Sequence, residues 1–129
     1  MRITHKIATA AGSALARFPV PKIPADNFTL PDGRLVVAFR DKALNSPTTG
    51  DFVAWIGTYD ELKTCTVGDS YRVRLLKSYK GDDCGYPGIE LVSAEEKRIA
   101  ATTYIKYWDD NRQNSVVTKL FSVAETDWR

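Results

Sequence analysis

Six runs rich in Val, Ile, Tyr, Trp, Phe and Thr recur along one stretch of this chain, at residues 35–39, 52–59, 71–79, 89–92, 102–108 and 115–123. Turn formers separate them: Asn45-Ser46-Pro47, Gly68-Asp69, Gly81-Asp82-Asp83, Pro87-Gly88 and Asp109-Asp110-Asn111. β-Branched and aromatic side chains suit a pleated, half-buried surface, and runs punctuated in this way predict antiparallel strands. The fold class is therefore mainly β.

One helix is expected to interrupt the series. Ser93 followed by Glu96 matches a capping box, and Glu95 suits the positive end of a helix, so the pattern predicts a helix over residues 94–100. Without the first run, the order becomes strand, strand, strand, helix, strand, strand. That is the element order of an OB-fold. The expectation is a small antiparallel β-barrel of OB-like order with one extra strand, or a two-sheet sandwich.

The N-terminal third reads differently. Residues 1–18 are rich in Ala, and Ile7, Ala11, Ala14, Leu15 and Phe18 fall at helical spacing after a capping Thr4. Arg2 and Lys6 before an apolar stretch ending in Ala14-Leu15-Ala16 give it the outline of a secretory leader, but that stretch is mostly alanine and makes a poor leader core. The polar side lacks a row of Lys and Arg, which argues against a membrane-surface helix. Pro19, Pro21, Pro24 and Pro31 follow, and proline holds its own backbone and the preceding residue extended. Residues 1–33 are thus expected to form a helix and a stiff arm, with residues 34–129 as the β-rich domain. Val20, Ile23, Phe28 and Leu30 along the arm suggest that it lies against an apolar surface.

Composition excludes several function classes. The chain has 129 residues, enough for one domain with a real core and no need of disulfides or metal. A net charge of +2 permits an anionic partner without demanding one. No apolar run is long enough to span a bilayer, so a soluble protein, cytoplasmic or particle-associated rather than secreted, is expected. Cys65 and Cys84 fit no zinc spacing and read as two free thiols, with a single disulfide as the alternative. Glycine-rich phosphate loops are absent from the sequence.

No catalytic constellation is visible. The one histidine, His5, lies outside the β-rich body, which removes the usual base for a Ser or Cys nucleophile. The carboxylate pairs Asp82-Asp83 and Asp109-Asp110 sit in turns, where Asp bonds nearby backbone, and Glu95-Glu96 is accounted for by helix capping. No calcium-loop spacing is present. The expectation is a protein that is not an enzyme, with no cofactor and no metal site.

Two surfaces remain. The first comprises apolar anchors near the termini: Ile7, Leu15, Phe18, Val20, Ile23, Phe28 and Trp128. Trp at an edge of a chain is a common interface anchor. A compact β-domain with an apolar arm has the layout of a small structural subunit of a viral particle or other large assembly, docking on a protein partner or its own copies. The second is a strand-borne platform. Alternation puts Arg72 and Arg74 on one face of their strand, and Tyr104, Lys106 and Trp108 on one face of theirs. Brought onto one sheet face, these five would stack bases and follow a phosphate backbone, as in an OB-like single-stranded nucleic-acid binder. The acidic residues of the flanking turns disfavour a polyanion, so the assembly reading ranks first.

Overall fold

Alternating side chains divide this β-protein into two sheets with a common interior. The computed structural model describes residues 2–3, 25–80 and 84–127. The elements are β1 (Arg2–Ile3), β2 (Ala25–Thr29), β3 (Leu35–Arg40), β4 (Phe52–Gly57), α1 (Tyr59–Thr64), β5 (Tyr71–Leu76), β6 (Cys84–Ser93), β7 (Arg98–Ile105), β8 (Ser115–Ser122) and α2 (Val123–Thr126). One antiparallel sheet runs β1-β5-β4-β3-β2, with β1 only a two-residue edge on β5, and the other runs β6-β7-β8.

The interior forms where the two inner faces meet. Val36, Ala38, Ala54, Ile56, Tyr71, Val73 and Leu75 from the larger sheet share a core with Cys84, Ile99, Ala101 and Ile105 from the smaller one. Burial of this apolar area is the main stabilising term. The larger sheet has a second apolar face. Val37, Phe39, Val53 and Trp55 are buried there, packed with Leu35, Leu62 and Val67. This explains why β4 reads as an unbroken apolar run: every one of its residues is buried.

The two sheets meet along one side and gape along the other. β2 and β6 lie together, and the Ile89 backbone N–H donates to Asp26 Oδ2 at 3.0 Å. On the opposite side, β5 and β8 are not paired. There the chain is tied at the two ends of β5, where Tyr79 N–H donates to the Lys106 carbonyl at 2.9 Å and the Tyr71 hydroxyl bonds to Asp127. No closed barrel forms among the described residues.

Several sequence expectations change. Residues 94–100 are not a helix. Ser93 Oγ does accept from Glu96 N–H at 3.2 Å, but Lys97 takes φ 50° and the chain reverses at once into β7. The OB-like order therefore loses its helix. The real capping box is Thr58…Glu61, and it opens α1. That helix ends the 52–59 run at Gly57. The 71–79 run stops at Leu76, while β6 and β7 both begin earlier than expected. Residues 25–29 of the proline arm form β2, which pairs with β3 through a turn containing Gly33 at φ 91°. The two cysteines are not joined in a disulfide: Cys84 is in the core and Cys65 caps the end of α1 in a left-handed conformation.

The last described turn is clasped to the body. Arg34 grips Asp127 with two bonds, at 2.9 and 2.8 Å, and also holds Asp32, which Lys97 meets at 3.1 Å. The Tyr71 hydroxyl donates to Asp127, so this turn is tied both to Arg34, just before β3, and to β5. Burial and that carboxylate push the Tyr71 phenol up to about 12. Burial alone would raise Asp127, but the bonds from Arg34 and Tyr71 outweigh it and hold the carboxyl below its ordinary range.

Candidate functional site

The open side between β5 and β8 holds the most chemically distinctive surface. β5 delivers Arg74 on its outward face, and Lys77 and Tyr79 lie just beyond its end. β7 ends at Ile105, and residues 106–114 fold into a loop that brings Tyr107 and Trp108 to the same place. From β8 comes Lys119, opposite inward-facing Ala101 in the ladder but exposed, because β8 is an edge strand. Together with buried Leu75 and Leu76 these side chains line an open hollow of about 480 Å³.

The loop is held by its own charges. Lys106 Nζ donates to the carbonyls of Trp108 and Asp110. Asp110 accepts from Arg112 N–H and Nε, both at 2.8 Å, and these bonds hold its carboxyl below the usual range. The Arg112 guanidinium then lies over the Trp108 ring, 4.1 Å from its centre, while Tyr107 makes a T-shaped contact with the indole, their ring centres 5.0 Å apart. Aromatic pairs prefer this edge-to-face geometry, and a guanidinium is attracted to the face of an indole. The aromatics stay available: Tyr79 is 45%, Trp108 41% and Tyr107 39% exposed. Lys77 Nζ sits 5.1 Å over the Tyr79 ring, and Arg74 leans toward Asp51 at 3.6 Å. The surface can offer aromatic faces and cations to a ligand. Among the described residues no group of three His, Cys, Asp or Glu side chains could hold a metal ion.

The five-residue platform expected from the sequence does not assemble on one face. Arg72 is 1% exposed, and its Nη2 donates to Asp41 Oδ2 at 2.9 Å, Ser46 Oγ at 2.8 Å and Thr48 Oγ1 at 2.6 Å. It belongs to the outer apolar face of the larger sheet, across the ladder from Trp55. Burial would raise Asp41, but Ser46, Arg72, Ala43 and Thr48 hold it low; burial also lowers Arg72, whose ordinary value is high enough to leave it a cation. Tyr104 lies on the outer face of the smaller sheet, 5.9 Å from the Tyr86 ring. Lys106 is taken up by the loop. Only Arg74 and Trp108 reach the hollow, where Lys77, Tyr79, Tyr107 and Lys119 join them. Tyr79 and Tyr107 were visible as strand aromatics, but nothing in the sequence joins the 77–79 and 107–108 segments.

Of the apolar anchors, Phe28 lies half-buried on β2, packed against the core. Ile7, Leu15, Phe18, Val20, Ile23 and Trp128 lie outside the described residues, as do His5 and Asp82-Asp83.

A second uncovered surface lies on the smaller sheet. β8 is its edge, eight residues long, with no strand on its far side among the described residues. Its outward residues Val116 and Leu120 are 78% and 57% exposed. They continue onto Tyr104 and Ala100 of β7, their ladder neighbours. No helix among the described residues is long and apolar enough to cross a membrane.

No protein-family model, no curated protein and no solved structure matches this chain.

Proposed function

We propose that this is a non-enzymatic interaction or assembly protein, a small structural subunit that associates with its own copies through β8. The observation that carries the reading is the exposed, uncharged outward face of a long strand with no partner on its far side among the described residues. Edge strands of this kind are templates for pairing unless protected. The single protective charge is the inward-facing Lys119.

The pairing register follows from two constraints. Opposed residues in an antiparallel pair share a face, so a two-fold dimer must pair residues of like orientation. A register centred on Lys119 would set two ammonium groups against each other, which is unfavourable. Centring on Thr118 avoids this. It sets Val116 against the second copy's Leu120, and Thr118 against its own copy. Light scattering on the full chain over a range of concentrations tests the reading. A dimer or larger species that Leu120→Lys converts to monomer is expected, and oxidised Thr118→Cys should cross-link to itself. A monomer at every concentration would overturn it.

Nucleic acid is the second partner class, favoured by the exposed Trp108, Tyr107 and Tyr79. It ranks below protein because Lys106 and Arg112 are spent on the loop and Asp109 borders the hollow, which leaves a short cationic track. On this second reading the OB-like barrel would be completed only if the open side closed on its ligand. Quenching of Trp108 by an oligothymidylate at two salt concentrations tests it, since phosphate contacts make affinity fall with salt.

A further inference from the structure

We infer that the hollow between β5 and β8 receives an acidic, aromatic-bearing extended segment of a partner protein, added as a strand to the free part of the β5 edge. This rests on the interaction reading; it shares Lys119 with the β8 contact but uses the backbone edge of β5.

The β5 edge is only partly covered among the described residues. β1 covers Arg72 and Val73, and residues 74–76 have no backbone partner on that side among the described residues. An added strand satisfies such a row of N–H and C=O groups through its own backbone, and its side chains then supply the selectivity. Beside that edge the hollow has an apolar floor, Leu75 and Leu76, and an aromatic rim. Charge sets the chemistry of the occupant. Arg74 is paired with Asp51 at 3.6 Å, which leaves Lys77 and Lys119 facing Asp109 in the lining, and this surplus of cations makes a carboxylate on the incoming segment complementary. A polypeptide fits better than a nucleic acid because only a polypeptide matches the unpaired backbone edge.

The test is fluorescence anisotropy with the full chain and a labelled alternating Glu-Tyr octapeptide. A Lys-Tyr octapeptide and an oligothymidylate serve as comparisons. The Glu-Tyr peptide is expected to bind, the Lys-Tyr peptide not to bind, and the double variant Lys77→Glu, Lys119→Glu to weaken binding about tenfold. Methylating alternate backbone nitrogens of the peptide should abolish binding, and this comparison leaves the protein unaltered should the double variant fail to fold. Absence of binding, equal binding of the Lys-Tyr peptide, binding that survives backbone methylation, or tighter binding of the oligothymidylate would each overturn the inference. A chain that dimerises through β8 but ignores the peptide refutes this inference alone. A monomer that binds the peptide refutes only the β8 contact.

Discussion

Arg72 and Arg74 are two residues apart on one strand and look equivalent in sequence, yet they do different work. Arg72 is enclosed with Asp41, Ser46 and Thr48, while Arg74 reaches the open hollow. The partners of Arg72 lie 24 to 31 residues away in sequence, so no local pattern announces them. Removing one member of a buried pair leaves an uncompensated charge, so Asp41→Leu should cost about 3–5 kcal/mol, while Arg72→Met combined with Asp41→Leu should cost less than that single change. Urea unfolding of the three proteins checks this ordering. Gly57 offers a sharper steric case. A methyl group there would lie 2.6 Å from the Trp55 ring and 2.7 Å from Ser70 Cβ, both buried. Gly57→Ala should therefore cost about 1–3 kcal/mol by overpacking, read as a lower unfolding midpoint.

At the scale of elements, two identical local signals have opposite outcomes. Thr58…Glu61 and Ser93…Glu96 both fit the capping pattern, and only the first starts a helix. After Glu96, residues 99, 101, 103 and 105 are Ile, Ala, Thr and Ile, all buried, while 98, 100, 102 and 104 face outward. That period of two continues for eight residues and outweighs a cap worth about 1 kcal/mol. Around α1 the cap is reinforced. Glu61 accepts from Thr58 N–H at 2.7 Å and also from Asp69 and Ser70 N–H at 2.5 and 3.2 Å, so it pins the loop beyond the helix. Glu61→Ala should destabilise by about 1–2 kcal/mol and raise protease sensitivity in residues 58–70. The clasp at α2 predicts a pH effect. Asp127 is held below its unfolded value and Asp32 is lowered to about 2. Burial would raise Asp32, but the bonds from Arg34 and Lys97 prevail. A lowered folded pKa gives stability that is present above the unfolded carboxylate range, near 4, and lost as pH falls toward 2. Thermal midpoints should therefore drop over that interval, and drop less in Asp127→Asn.

At the scale of the molecule, sequence alternation made the strand content legible and left the arrangement hidden. All six expected runs contain strand, because their composition matches the burial they experience. What alternation cannot supply is which face of one strand meets which face of another. Arg72 and Tyr104 sit on the outer faces of different sheets for that reason, and the hollow depends on a loop carrying Trp108 up to the end of β5. β2 was hidden because Pro24 and Pro31 flank it and the segment reads as an extended arm, and an edge strand is where such a segment can sit.

The placement of the two thiols makes the protein a reporter of its own opening. Cys84 is fully enclosed in the shared interior, whereas Cys65 is partly exposed at a helix end. A thiol reagent should modify Cys65 quickly in the native protein. Modification of Cys84 must wait until the sheets separate, so its rate measures how often the molecule opens. Mass spectrometry of a labelling time course should show one fast adduct and one slow one, with urea accelerating only the second.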